Sequence, residues 1–318
     1  MMIYNTAQLN TGIGVYAYNL SKGLNIKLEN NFLSNNHYYT DYFKMSLLRK
    51  KVNDVVINSS IFSNYYYGKK NIFVIHDFFQ KDYNRYIPEF SKIFFDYGLF
   101  LAKMNADKFI CVSNYTYKRA SRELKNLEMI YPFVDMRFNY QGDKRKDKVI
   151  LLMDASNFKN KNPGYYQKFY EYLILNKREF YSRFNKLGYP IKQVIMSFKL
   201  RNYENISIEE VIDIYKNSNV FLSFSENEGF GYPLVQAILS NNSVVVYNNQ
   251  TYKELLGSDF RYFIKDIHNF DDIHNLILQS LDDVEMRKSI YNRISMLIDP
   301  VGLKKQWEYV FDALGVKS

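Results

Sequence analysis

Between Ser223 and Asn249 the chain reads SFSENEGFGYPLVQAILSNNSVVVYNN. The pattern is an apolar strand, a glycine loop, a helix and a second apolar strand. Glu228 stands at the loop entrance, Gly229 and Gly231 follow, and Pro233 falls where a helix begins. Glycines let backbone approach a ligand closely, and proline fits the first turn of a helix. A helix that starts here turns its N–H groups and positive end toward whatever binds. Glu228 can accept hydrogen bonds from hydroxyls. The expected ligand is therefore an anion flanked by hydroxyls, such as a sugar joined to a diphosphate.

The segment resembles the donor-site signature of retaining glycosyltransferases of family 4, roughly Ser-x-x-Glu-Gly-Phe-Gly-x-Pro-x-x-Glu-Ala. Ser225, Glu228, Gly229, Phe230, Gly231, Pro233 and Ala237 match it. The second Glu of that signature is Gln236 here. The resemblance implies that this position holds the ribose hydroxyls. A Gln keeps an acceptor oxygen and loses the charge.

Composition sets outer limits. The 318 residues suffice for two domains, and 47% are hydrophobic, enough for a large core. The net charge of +9 favours anionic partners: nucleotides, acidic lipid surfaces or nucleic acid. One cysteine, Cys111, excludes an intramolecular disulfide framework and fits a reducing compartment. It lies in the run Phe109–Val112, which reads as a buried strand, so an inert thiol is expected. No stretch approaches the length of a spanning helix, and no signal peptide is apparent. The expected location is the cytoplasm, with peripheral contact to an anionic membrane as a further expectation.

Short apolar strands alternate with longer amphipathic segments, which predicts parallel α/β layers. Strands are expected at 54–58, 71–76, 108–112 and 128–131, then at 149–154, 192–198, 220–224 and 243–247. Helices are expected at 89–104, 164–175, 208–216 and 233–239. In the first of these helices Phe90, Ile93, Phe94, Tyr97, Leu101 and Met104 recur at three- and four-residue steps, a stripe read as core. The polar run 141–148 has the composition of a linker. The expected fold class is α/β, two Rossmann-like domains facing across a cleft, with ligands at the carboxyl ends of the strands.

Other motifs are weaker alone and gain weight from the resemblance. Gly12 and Gly14 precede a helical stretch, and the family carries a Gly-Gly-Ile-Gly-like loop there, near the donor phosphates. Thr11 replaces its first glycine and Val15 the Arg often found after it. His76 ends an apolar strand, where the family places a His beside the donor sugar. Asp77 either orients that imidazole or caps the turn. Lys159 and Lys161 follow the strand at 149–154, where the family sets an Arg and a Lys against the diphosphate. The Arg position falls at Ser156, so Lys159 is the substitute. The stretches 111–116, 130–138 and 252–257 also resemble family elements. Donor identity is expected to depend on loops near 198–203. No pair of acidic residues or histidines at metal-ligand spacing is visible.

The resemblance implies the GT-B arrangement: an acceptor domain at 1–140, a nucleotide-sugar domain at 141–300, and a C-terminal helix, 301–318, returning to the first. It implies a retaining hexosyltransferase acting from a nucleoside-diphosphate sugar on a saccharide, lipid or other hydroxyl acceptor. No metal and no cofactor beyond the donor are expected. Glu228, His76 and Lys161 are the expected catalytic residues. Donor contacts are expected from Gly12, Gly14, Lys159, Lys161, Phe230, Gly231, Tyr232, Pro233, Leu234 and Gln236. The rival readings are a nucleic-acid-modifying glycosyltransferase, a non-catalytic sugar-nucleotide-binding protein, and an epimerase or phosphorylase of the same architecture.

Overall fold

The computed structural model describes residues 1–9, 11–33, 38–82, 89–142, 144, 149–153, 159–175, 191–196 and 207–316. The chain divides into two compact units, Met1–Val134 with Ile298–Ser318, and Asp135–Leu297.

The first unit is built on β1 (Met2–Asn5), α1 (Gly12–Leu24), β2 (Lys27–Asn30), α2 (Tyr38–Leu47), β3 (Lys50–Lys51), β4 (Val55–Asn58), β5 (Tyr66–Tyr67) and β6 (Lys70–Ile75). It continues through α3 (Phe79–Asp82), α4 (Glu89–Asn105), β7 (Lys108–Cys111), α5 (Asn114–Ala120) and β8 (Leu127–Met129). Six strands pair in the order β2-β1-β4-β6-β7-β8. Every pairing is parallel, with Ile3 opposite Ile57, Ile57 opposite Ile72 and Ile75 opposite Cys111. A parallel sheet covered on both faces needs near-continuous apolar strands. Accordingly Val56, Ile57, Ile72, Val74, Ile110 and Cys111 are fully buried. Burial pushes the Cys111 thiol up to about 12, so it stays protonated at neutral pH.

The second unit holds β9 (Val149–Met153), α6 (Pro163–Leu175), β10 (Ile191–Met196), α7 (Ile208–Asn217), β11 (Val220–Ser223), α8 (Tyr232–Leu239), β12 (Ser243–Tyr247), α9 (Gln250–Leu256), β13 (Phe263–Ile264), α10 (Phe270–Asp282) and α11 (Val284–Leu297). Its five strands are also all parallel, in the order β10-β9-β11-β12-β13. The last helix, α12 (Pro300–Ala313), belongs to the first unit, where it contacts α1. It buries Leu303, Trp307, Val310 and Phe311.

Two expectations change. Only part of the stripe on α4 is core: Phe94 is buried, and Tyr97 and Leu101 pack against the core. The buried residues are Phe94, Phe95, Gly98, Leu99 and Ala102, while Phe90, Ile93 and Met104 are exposed. Gly98 explains the rotation: a Cβ there would lie 3.0 Å from the Phe62 ring, and Phe62 stacks on Phe94 at 5.0 Å. The small residue admits the neighbouring aromatic, so that face packs. The described part of the polar run 141–148 is also bound into the second unit. Gln141 donates to the Leu239 carbonyl at 3.0 Å, and Lys144 to the carbonyls of Tyr215 and Lys216. Desolvation, reinforced by Arg287, lowers Lys144 to about 7.

Candidate active site

Two strand-to-helix loops of the second unit lie side by side because β11 and β12 are adjacent and parallel. The first, between β11 and α8, carries Glu228 and Gly231. The second, between β12 and α9, carries Asn249, Thr251 and Tyr252. Parallel strands put both loops at the carboxyl end of the sheet.

Gly231 begins α8 at φ +85°, a left-handed backbone that favours glycine. A Cβ there would stand 3.0 Å from the Tyr252 ring. Pro233 falls in the first turn, and no side chain caps the helix. The first N–H groups of a helix have no intrahelical acceptor, so this end attracts negative charge. Leu234, Val235, Ala237, Ile238 and Leu239 are buried. Pro233 and Gln236 are the half-exposed positions of α8, three residues apart and so on one face. Gln236 thus lies on the open side of the helix one turn from its start. Phe230 and Tyr232 are buried and pack edge to face at 5.2 Å. The side chains of Phe230, Tyr232 and Leu234 shape the loop from beneath, which leaves backbone groups as their means of meeting a ligand.

Glu228 is the centre of a network. Its Oε1 accepts from Lys161 Nζ in an ion pair whose two side chains are both largely shielded from solvent. It also accepts from the Tyr252 hydroxyl at 3.1 Å. Thr251 Oγ1 donates to the Glu228 carbonyl at 2.6 Å. The Lys161 strand of the network is a short 3-10 turn, Lys159–Lys161. Its neighbours fasten it to the glycine loop. Asn160 Nδ2 donates to the Asn227 carbonyl at 3.1 Å, and the Asn160 carbonyl accepts from Glu226 N–H at 2.9 Å. Asn162 Nδ2 donates to the Phe224 carbonyl and to Glu226 Oε1. Asn162 adopts φ +53°, a conformation that Asn tolerates. The Lys159 side chain, Ser156 and residues 198–203 lie outside the described residues.

The first unit carries the other expected residues. Gly12 and Gly14 form the first turn of α1. Thr11 accepts the Gly14 N–H at 3.2 Å and donates to the Gln8 carbonyl at 2.6 Å. The hydroxyl that replaces a glycine therefore occupies one N–H of this loop. A Cβ on Gly14 would run into the backbone of Gln8 and Leu9, whereas one on Gly12 would meet nothing. His76 follows β6. Its Nε2–H donates to the Ser59 carbonyl at 2.7 Å, and Tyr16 of α1 packs against it edge to face at 5.0 Å. Burial pushes the imidazole down to about 4, against the favourable Ser59 bond. His76 is thus neutral at physiological pH, with Nδ1 an acceptor. Asp77 Oδ1 accepts the Phe79 N–H at 2.9 Å, which caps the turn into α3.

The structure brings together Lys161, Glu228, Gly231 and Gln236 in the second unit. It sets Gly12, Gly14 and His76 at the carboxyl ends of β1 and β6 in the first. Asn160, Asn162, Thr251 and Tyr252 are not among the expected site residues, although Tyr252 opens one of the stretches that resemble family elements. Their signal lies in the order of elements: Tyr252 opens the helix that follows the neighbouring strand. Among the described residues no cluster of three or more His, Cys, Asp or Glu could hold a metal ion.

Residues 182–295 match the family model described as glycosyl transferases group 1. No curated protein matches the chain. Solved structures do. Anabaena HepE in complex with UDP-glucose aligns with TM-score 0.65 at 12% identity, covering 98% of this chain and 99% of that one. Sucrose-phosphate synthase from Thermosynechococcus elongatus aligns with TM-score 0.59 at 13% identity, covering 82% and 73%. S. aureus TarM aligns with TM-score 0.59 at 14% identity, covering 85% of this chain and 58% of that one. The chain thus spans less than two thirds of TarM. The fold is that of the GT-B glycosyltransferases. The group 1 segment contains the Glu228 loop, α8 and Tyr252, and together with the fold it supports a glycosyltransferase.

Proposed function

We propose that this chain transfers a hexose-like sugar from a nucleoside diphosphate to an acceptor hydroxyl, with retention at the anomeric carbon and without a metal ion. The observation that carries the reading is the Lys161–Glu228–Tyr252 constellation beside the uncapped start of α8.

Each group has a task in that reaction. Glu228 accepts hydrogen bonds from donor-sugar hydroxyls, held in place by Tyr252 and Thr251. Lys161 is the cation beside the loop: a bound diphosphate offers it a second anionic partner. The leaving diphosphate gains charge as the anomeric C–O bond breaks. Lys161 and the positive end of α8 stabilise that charge without reorganisation. The acceptor oxygen forms the new bond on the same face, and its proton passes to the departing phosphate oxygen. No protein base is assigned. Gln236 accepts from the ribose through its amide oxygen. His76, neutral, offers Nδ1 to a hydroxyl. The acceptor is a saccharide or another hydroxyl compound.

The test begins with a panel of nucleotide sugars followed by thermal unfolding. UDP-glucose is first, because HepE is bound to it. A donor at a hundred times its Kd stabilises the folded state by about 2.7 kcal/mol. That raises Tm by roughly 5–10 °C. Transfer or slow hydrolysis of the stabilising donor should survive EDTA. No shift with any donor, or activity lost to EDTA and restored by Mn²⁺, defeats the proposal.

A further inference from the structure

Ser59 stands between the two parts of the first unit that carry expected ligand contacts. The strand order β1-β4-β6 puts the end of β4 beside the ends of β1 and β6. The glycine loop follows β1, His76 follows β6, and Ser59 follows β4. Buried polar side chains cluster here: Asn5 and Ser59 are 0% exposed, and Thr6, Ser60 and Ser63 are also buried. Buried polar groups cost free energy unless they are hydrogen-bonded, so their partners show what the cluster holds.

Asn5, the last residue of β1, fills both donor and both acceptor positions of its carboxamide. Its Nδ2 donates to the Ala7 carbonyl at 2.6 Å and to Asn30 Oδ1 at 3.0 Å. Its Oδ1 accepts the Ala7 N–H at 3.2 Å and the Ser59 hydroxyl at 2.9 Å. Ala7 leads into the glycine loop, where the Gln8 carbonyl holds Thr11. Ser59 is anchored twice, by that hydroxyl and by its N–H, which donates to the Tyr4 carbonyl at 2.9 Å. Its carbonyl then receives His76 Nε2–H at 2.7 Å. Having given its proton to Asn5, the Ser59 hydroxyl can only accept from Ser63 Oγ, 3.1 Å away. Thr6 Oγ1 lies 3.2 Å from Ser63 Oγ on the other side. Tyr16 of α1 closes the circuit by packing against the His76 ring. The cluster therefore joins the entrance of the glycine loop to His76 through two residues, Asn5 and Ser59.

We propose that Asn5 and Ser59 are positioning residues that lock the glycine loop and His76 in one arrangement. A His76 ring that donates through Nε2 to a fixed carbonyl presents Nδ1 as its acceptor. Both residues are wholly buried, so they act through His76 and the loop and not on the ligand itself. The role rests on the proposed function, in which His76 and the glycine loop meet the ligand.

Ser59→Ala in the full chain tests it. Nitrogen NMR of His76 should show the Nε2–H tautomer alone in the parent and a mixture of both tautomers in the variant. With the donor that stabilises the parent, kcat should fall about five- to tenfold, the loss expected from one neutral hydrogen bond. KM for the donor should change less than about threefold. In a His76→Asn background, Ser59→Ala should cost less than about twofold, because residues that act as one unit are not additive. Asn5→Asp keeps the shape but sets a carboxylate against the Ala7 carbonyl and Asn30 Oδ1, and it should give the same mixture of tautomers. Should either variant fail to fold, the other decides. An Nδ1–H tautomer in the parent, or ring signals unaltered by the variants, overturns the proposal. So does a loss of kcat from Ser59→Ala that is equal in the parent and in the His76→Asn background. If no nucleotide sugar binds the parent, the proposed function fails by itself, and the ring-nitrogen spectra alone decide the positioning.

Discussion

The Tyr252 hydroxyl donates to Glu228 Oε1 at 3.1 Å and lies 3.0 Å from Ser223 Oγ. Tyr252 is fully buried, and its ring also lies beneath Gly231. One residue from the second loop therefore sets both the carboxylate and the backbone turn of the first.

Tyr252→Phe removes only that hydroxyl. A hydrogen bond to a charged group contributes about 1.5–3 kcal/mol. If it aligns Glu228 for the transition state, kcat falls about 10- to 100-fold while KM for the donor changes less than about threefold. Steady-state kinetics on the folded variant reads this directly. An unchanged kcat would reduce Tyr252 to a packing role.

Gly231→Ala strains a left-handed position, at about 1–2 kcal/mol. The new Cβ also crowds Tyr252. We expect Tm to fall by about 3–8 °C and nucleotide affinity to drop with it, since the turn aims α8. A variant as stable as the parent would show that the turn tolerates a side chain and that its geometry is not fixed as described.

His76 gives a pH signature. Its folded pKa of about 4 lies below the ordinary 6.5. Between those values the unfolded chain binds a proton that the folded chain refuses, so stability rises with pH. The contribution is whole above about pH 6.5, is lost progressively as pH falls toward 4, and amounts to at most about 3 kcal/mol. His76→Asn should flatten the Tm profile across that window. An identical profile in parent and variant would place the titration elsewhere.

The legibility of the chain followed the strength of local signals. Ser243–Tyr247 holds three consecutive valines and is followed by two Asn residues, and its bounds are those expected. Helix α7 starts at the expected residue because Ser207 and Glu210 form a capping box, and it runs one residue past the expected end. Strands β1 and β2 escaped notice. They have four residues each, and the edge strand β2 reads Lys-Leu-Glu-Asn with exposed ends. For α4, periodicity marked a helix but could not choose between two apolar faces. Gly98 made that choice by leaving room for Phe62, which is distant in sequence. The site shows the same division. Glu228, Gly231 and Lys161 stand in motifs whose chemistry is local. Asn160, Asn162 and Tyr252 act through partners more than twenty residues away, and no spacing rule links them.

The central claim is that Glu228 holds the reacting sugar, and Glu228→Gln tests it most directly. The variant keeps the shape and an acceptor oxygen but removes the charge opposite Lys161. Tm and kcat/KM should be measured together with the donor that stabilises the parent. We predict a folded protein that still binds the nucleoside diphosphate, with kcat/KM lower by about 100-fold or more. A folded variant with near-parental kcat/KM would contradict the account.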